Sequence, residues 1–260
     1  MTEFNMTIQS GKTKVIHTAG KYCDKDIFIT AQGGGDYDNG YDKGYNDGIE
    51  AGKQAEHDAF WDAYQQNGNK SNYQGAFSGD GWNDTTFRPK YHLKPKNANL
   101  MFNACGIGDV QAALDKVGIT LDFSGVTGSY NNQMLTDSKI TRIGVVDLSA
   151  CTLLNYTFFY AQFLETVEKV ILADTPPKLN TPFLGLPKLT NITFEGVIGY
   201  SVSFADSPLL TTASVQSIID HLQDLTGATA QTITFHATVG GNMTEAQKTA
   251  ISQKNWTLVY

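Results

Sequence analysis

The sequence predicts an α/β chain: a short solenoid of stacked turns ending in an α/β cap, with a small β module and a Gly/Tyr-rich helix before it. Three observations carry this expectation. Apolar residues recur at constant offsets between residues 98 and 212. After residue 213 the pattern changes to a helical apolar stripe followed by short β-branched runs. Before the repeats, Gly33-Gly34-Gly35 marks a hinge, and large residues then alternate with glycines at a spacing of four.

The repeat is clearest in four copies: Leu135-Ile140-Ile143, Phe159-Leu164-Val167, Leu184-Leu189-Ile192 and Phe204-Leu209-Thr212. Phe102-Ile107-Val110 forms a degenerate first copy. Each copy continues at plus five and plus eight, and Ile140, Leu164, Leu189 and Leu209 are spaced by 24, 25 and 20 residues. A turn of two dozen residues cannot bury its apolar side alone, whereas stacked turns share one core. A period of about 20–29 residues with this texture is that of a leucine-rich-repeat array. The stacked strands are expected at residues 145–148, 170–172 and 192–194, with Asn132, Asn180 and Asn191 near turns.

Residues 213–260 read as an α/β cap on the open end of the core. Ser214 is placed to cap a helix whose stripe is Val215, Ile218, Ile219, Leu222 and Leu225, and Gly227 ends it. Residues 232–235 and 256–259 are strand candidates, and Thr244 with Gln247 forms a capping box between them.

Upstream, residues 1–32 read as a small β attachment module in which Phe4, Met6 and Ile8 alternate. Residues 33–66 combine the glycine hinge with a helical stalk. Tyr37, Tyr41, Tyr45 and Ile49 would form a ridge beside a groove of Gly40, Gly44, Gly48 and Gly52. Four glycines cost an isolated helix about 3–4 kcal/mol relative to alanine. A helix that carries them needs a close neighbour, so these eight residues are the expected self-association surface. Residues 67–97, rich in Asn, Gly, aromatics and Pro, read as a region that wraps the first edge of the repeats.

Composition narrows the function. With 41% hydrophobic and 17% charged residues among 260, the chain falls outside the disordered class. A net charge of −7 without a basic run excludes the electrostatic footprint of a nucleic-acid binder. Apolar runs are too short for membrane insertion. The N-terminus shows no secretory signal, and Cys23, Cys105 and Cys151 are too few and too scattered for a disulfide framework. Synthesis in a reducing cytoplasm is expected.

No residue set announces catalysis, a cofactor or a metal. Gly106-Ile107-Gly108 lacks the rest of a nucleotide loop, and His17, His57, His92, His221 and His236 are scattered. Asp36, Asp38, Asp42 and Asp47 fit no register of a calcium loop, because glycines fall where ligands are required. Glu165 and Glu168 read as a solvated face of a repeat rather than a glycosidase pair. The expectation is a binding protein, not an enzyme. If the solenoid is a recognition surface, Tyr130, Tyr156, Tyr160 and Tyr200 are its first candidates, since tyrosine supplies contact area at small entropic cost. The alternative is that they pack between turns.

The repeats resemble the BspA-like leucine-rich repeats of gut Firmicutes and their phages. Residues 244–248 and 254–258 are similar to the terminal segment of such proteins, and residues 41–48 with 60–68 to a segment upstream of the repeats in phage-encoded ones. Residues 7–12 and 26–31 resemble β modules that open phage tail and fibre proteins. The regular Cys and Ala-Phe positions of the family are missing, so no particular ligand carries over. The resemblance implies a virion structural protein, a tail appendage or fibre. Such a protein would be a homotrimer, joined to other virion proteins through its N-terminal region and facing a host surface receptor. A head fibre or decoration protein and a bacterial surface adhesin for host protein or glycan are the alternatives.

Overall fold

A computed structural model describes residues 5–9, 12–16, 27–29 and 73–260. The chain divides into two compact units, residues 1–60 and 61–260. In the first, β1 (Asn5–Gln9), β2 (Lys12–Ile16) and β3 (Ile27–Ile29) form an antiparallel sheet in the order β1-β2-β3. The ridge and groove expected at Tyr37, Gly40, Tyr41, Gly44, Tyr45, Gly48, Ile49 and Gly52 lie outside the described residues.

The second unit is mixed α/β, with small parallel sheets and few helices. Its central sheet is β4 (Arg142–Asp147), β6 (Thr166–Ile171) and β8 (Asn191–Glu195), all parallel. Ile143 lies beside Val167 and Val167 beside Ile192; Val146, Val170 and Phe194 form a second row. All six are buried, while Val145, Thr193 and Glu195 face outward. One residue more in β6 than in β8 shifts the register between the two rows. A second sheet pairs β5 (Leu153–Asn155) with β7 (Lys178–Asn180), also parallel.

A simpler regularity runs through residues 73–185. Left-handed backbone recurs in pairs four residues apart: Gly75/Gly79, Leu100/Ala104, Gln133/Asp137, Tyr156/Tyr160 and Thr181/Gly185. The first members are separated by 25, 33, 23 and 25 residues. Alternate N–H groups of each segment donate to carbonyls of the next. Those of Tyr73, Gly75, Phe77 and Gly79 reach Asn97, Asn99, Met101 and Asn103. Those of Tyr156, Phe158 and Tyr160 reach Asn180, Pro182 and Leu184. Midway between the left-handed residues sits one buried side chain: Phe77, Phe102, Leu135, Phe158 or Phe183.

These central residues pile into a column. Phe77 stacks on Phe102 at 5.3 Å, Phe158 on Phe183 at 5.5 Å, Phe183 on Phe204 at 4.8 Å and Phe204 on Phe235 at 6.0 Å between ring centroids. Tyr73, Trp82 and Phe87 extend the aromatic core at the start, so residues 73–97 hold turns and bridges rather than strands yet bury large rings.

The column corrects the sequence register in its later copies. Phe102 and Leu135 do lead their copies by five. In the next two the buried leaders are Phe158 and Phe183, six residues before Leu164 and Leu189; the expected Phe159 and Leu184 are only half-buried. Leu209, expected inside, is 54% exposed, and its neighbour Leu210 takes the buried place. The cause is one extra residue between the second left-handed residue and the strand: three positions separate Asp137 from Ile140, four separate Tyr160 from Leu164.

Asparagines tie the turns together beside the column. Asn131, fully buried, donates to the Leu153 carbonyl at 2.9 Å, while its oxygen accepts from Asn155 N–H at 3.0 Å and the Thr157 hydroxyl at 2.8 Å. Asn155 Nδ2 donates to Asn132 at 3.1 Å, and Asn180 Nδ2 to Asn155 at 2.6 Å. A buried backbone polar group must be paired, and amides with both a donor and an acceptor can pass hydrogen bonds from turn to turn.

Helices close both edges of the central sheet. α1 (Val110–Asp115), capped by the Asp109 side chain on Ala112 N–H, packs against β4. Gln111 lies over Gly144, where an added β-carbon would overlap its side chain. On the other side, α2 (Thr212–Asp220) packs against β8. Its N-cap is Thr211, not the expected Ser214. Ser214 is buried and its hydroxyl accepts from Ile192 N–H at 3.0 Å, while Ser217 accepts from Phe194 N–H at 2.9 Å. Two serines thus satisfy an edge strand that would otherwise offer unpaired donors.

β9 (Val202–Phe204), before α2, joins β10 (Gln231–Phe235) and β11 (Trp256–Val259), after it, in a parallel sheet in the order β11-β10-β9. The one-turn α3 (Ala237–Gly241) and then α4 (Glu245–Gln253) lie between β10 and β11. α4 opens with the Thr244–Gln247 capping box anticipated from sequence. Lys254 Nζ donates to the carbonyls of Ile219, Asp220 and Leu222, each at 2.9 Å, and so ties the end of α2 to the end of α4.

Candidate functional site: an exposed aromatic cluster

The left-handed pairs hold side chains at fixed points outside the column, and in one turn those side chains are tyrosines. Tyr156 (φ 54°) and Tyr160 (φ 52°) flank buried Phe158. Left-handed backbone costs a non-glycine residue about 1–2 kcal/mol. The other turns lower that cost with Gly75, Gly79, Gly185 or Asp137 at some of these places and carry Leu100, Ala104, Gln133 and Thr181 at the rest.

Tyr156 and Tyr160 meet through Phe159. Its ring centroid lies 4.9 Å from that of Tyr156, near edge-on, and 4.5 Å from that of Tyr160. Tyr160 is backed by Gly185 of the next turn, where an added β-carbon would come within 3.1 Å of two ring carbons. Gly185 N–H in turn donates to Asp206 Oδ2 at 3.0 Å. Phe163, in the segment that carries the extra residue, has Lys188 Nζ 4.8 Å above its ring. Tyr160 and Phe163 are each 42% exposed.

Of the four tyrosines named from sequence, the structure joins Tyr156 and Tyr160. Tyr130 and Tyr200 are exposed elsewhere: the Tyr130 carbonyl accepts from Ala98 N–H, and Tyr200 precedes β9. Phe159 was read as core because it sits at a repeat offset, and Phe163, at no repeat offset, carried no signal of its own. The extra residue between Tyr160 and Leu164 has no composition signal.

The outward face of the central sheet is a different surface. Arg142 pairs with Glu168 and lies 3.5 Å from Asp109, and Lys169 pairs with Glu195 at 3.0 Å. These charges are spent on one another, and exposed pairs of this kind contribute about 0–1 kcal/mol.

The titratable groups singled out from sequence have local partners. His92 Nδ1 accepts from Thr120 N–H at 3.1 Å, His236 Nδ1 caps α3 through Thr238 N–H, and His221 Nδ1 lies 2.7 Å from the Ser217 carbonyl. His17 and His57 lie outside the described residues. Among the described residues no group of three His, Cys, Asp or Glu side chains is placed to hold a metal, and no helix is long and apolar enough to cross a membrane.

Cys105 and Cys151 are free and buried, and burial raises each thiol from the ordinary 9.0 to about 11. A thiol with a raised folded pKa keeps its proton after the unfolded chain has lost one. Its contribution to stability is therefore complete below pH 9.0 and lost as the pH rises toward 11. Alkylation by iodoacetamide at pH 8 is expected to leave both thiols unmodified in the native protein and to modify both in urea. Urea midpoints are expected to fall between pH 9 and 11.

No protein-family profile, curated protein or solved structure matches the chain.

Proposed function

We propose that this chain is a bacteriophage virion structural protein, a tail appendage or fibre. In this reading residues 98–212 are a leucine-rich-repeat solenoid that carries an attachment surface, residues 213–260 are its cap, and the N-terminal region joins it to itself and to other virion proteins. The observation that carries the binding half is the Tyr156–Phe159–Tyr160 aromatic group, whose two tyrosines have left-handed backbone and whose Tyr160 ring, like Phe163 nearby in sequence, is exposed. Strained, exposed residues that the surrounding structure over-determines are characteristic of functional sites. Parallel registers at 24–25 residues and helices over both sheet edges support the solenoid reading, since arrays of this type need capped ends. The virion half rests on the resemblance of the N-terminal and repeat segments to phage-encoded proteins.

Antibodies to the full chain, applied to purified particles from bacteria that carry the gene and viewed by electron microscopy, test this reading. Label at a fixed place on the particles is expected. Protein confined to cell lysate, with bare particles, would overturn it. Light scattering of the purified chain is expected to give a trimer.

A further inference from the structure

We infer that the Tyr160 ring is a stacking platform for an uncharged oligosaccharide. The inference gives the attachment surface of the proposed function a ligand class and rests on that reading. Three observations lead to it. First, the position is occupied in other turns by Gly79, Ala104, Asp137 and Gly185, residues small or suited to left-handed backbone. Tyrosine is the one large side chain at that place, and 42% of its surface stays exposed. A large ring kept partly in solvent where the other turns carry small or acidic residues points to a function for the side chain.

Second, the ring is fixed before any ligand arrives. Gly185 leaves room for it on one side, and Phe159 holds it at 4.5 Å on another. A ring already immobilised loses little entropy on binding.

Third, the charge beside it selects the ligand. Asp206, exposed, accepts from the N–H of Gly185, the residue that backs the ring, at 3.0 Å, while Lys188 is engaged over Phe163. The face of an aromatic ring is electron-rich, so it attracts the weakly positive C–H groups on one face of a pyranose. A carboxylate accepts strong hydrogen bonds from hydroxyl groups and repels an anionic ligand. An uncharged, hydroxyl-rich chain with an apolar face meets all of these conditions. A protein partner would instead place its anchors in a desolvated pocket, whereas the Tyr160 ring is 42% exposed.

Calorimetric titration of the full chain with cellopentaose, maltopentaose and the N-acetylglucosamine pentamer tests this, with a galacturonate pentamer as the charged counterpart. Saturable binding of at least one neutral pentamer is expected, at least tenfold tighter than of the charged one. Tyr160→Gly, which keeps the fold because glycine occupies the same place at 79 and 185, should weaken it at least tenfold, and Tyr160→Phe less than threefold. No saturable binding of any neutral pentamer overturns the inference. So does binding that Tyr160→Gly leaves unchanged, or preference for the charged pentamer. A protein partner captured equally by wild type and Tyr160→Gly, with no sugar bound, also counts against it. The titration uses purified protein, so its failure leaves the particle labelling intact, and bare particles leave the titration to stand by itself.

Discussion

Phe183→Ala is expected to destabilise the 61–260 unit by about 3–5 kcal/mol, the usual loss on truncating a buried phenylalanine. Phe183 is 2% exposed and touches three rings: Phe158 and Phe204 stacked at 5.5 and 4.8 Å, and Phe194 edge-on at 5.7 Å. Its neighbours belong to different turns and their backbones are tied by the ladder, so the site cannot collapse to fill the gap. For a unit of this size 1 kcal/mol moves Tm by about 2–4 °C, so a fall of roughly 6–20 °C is expected in a thermal melt. Phe163→Ala is the comparison. Phe163 is 42% exposed and its loss removes one contact with Lys188, about 0.5–1 kcal/mol. Equal effects of the two substitutions would mean that the phenylalanine column is not the core.

Gly196→Ala is expected to be at least as damaging, for a backbone reason. Gly196 follows β8 with φ +81°, and an added β-carbon would meet the Leu172 carbonyl oxygen of the neighbouring turn well inside contact distance and its carbonyl carbon at 2.6 Å. The obstacle is backbone, held where Leu172 N–H donates to the Glu195 carbonyl at 2.9 Å. To admit the methyl group the turns must part. A loss above about 4 kcal/mol is expected, in the range that signals a named structural conflict. It should be read as a lowered urea midpoint and early amide exchange at Leu172 and Val197. Gly227 has a similar φ of +81° but open space around its Cβ position, so Gly227→Ala carries the conformational cost alone, about 1–2 kcal/mol. The difference between the two isolates the contact.

What was legible in the sequence follows from what repeats in side-chain chemistry. Ile140, Leu164 and Leu189 recur because each starts the buried side of a strand segment, and all three are fully buried. The capping box at Thr244 was legible because its hydrogen bonds are local. The leader positions were misread by one residue at Phe158 and Phe183, since Phe158-Phe159 and Phe183-Leu184 are both apolar pairs and hydropathy cannot choose between them. The choice is made by left-handed residues two places to either side, and these carry no common side chain: Gly, Leu, Gln, Tyr and Thr fill the first place. Ser214 illustrates the same limit. As a serine near a helix start it reads as a cap, but it serves the neighbouring strand and leaves the cap to Thr211. The tyrosine candidates were found as residue types. Their grouping was not, because the link between Tyr156 and Tyr160 is Phe159, which its repeat offset assigned to the core.

The most direct measurement of the stacked arrangement is a methyl NOE experiment on protein labelled at Ile, Leu and Val. Side chains level with one another on adjacent strands are about 5 Å apart. Cross-peaks from Ile143 to Val167 and from Val167 to Ile192, together with Val146 to Val170, are the expected result. Cross-peaks confined to partners within the same two dozen residues, with none linking those rows, would contradict it.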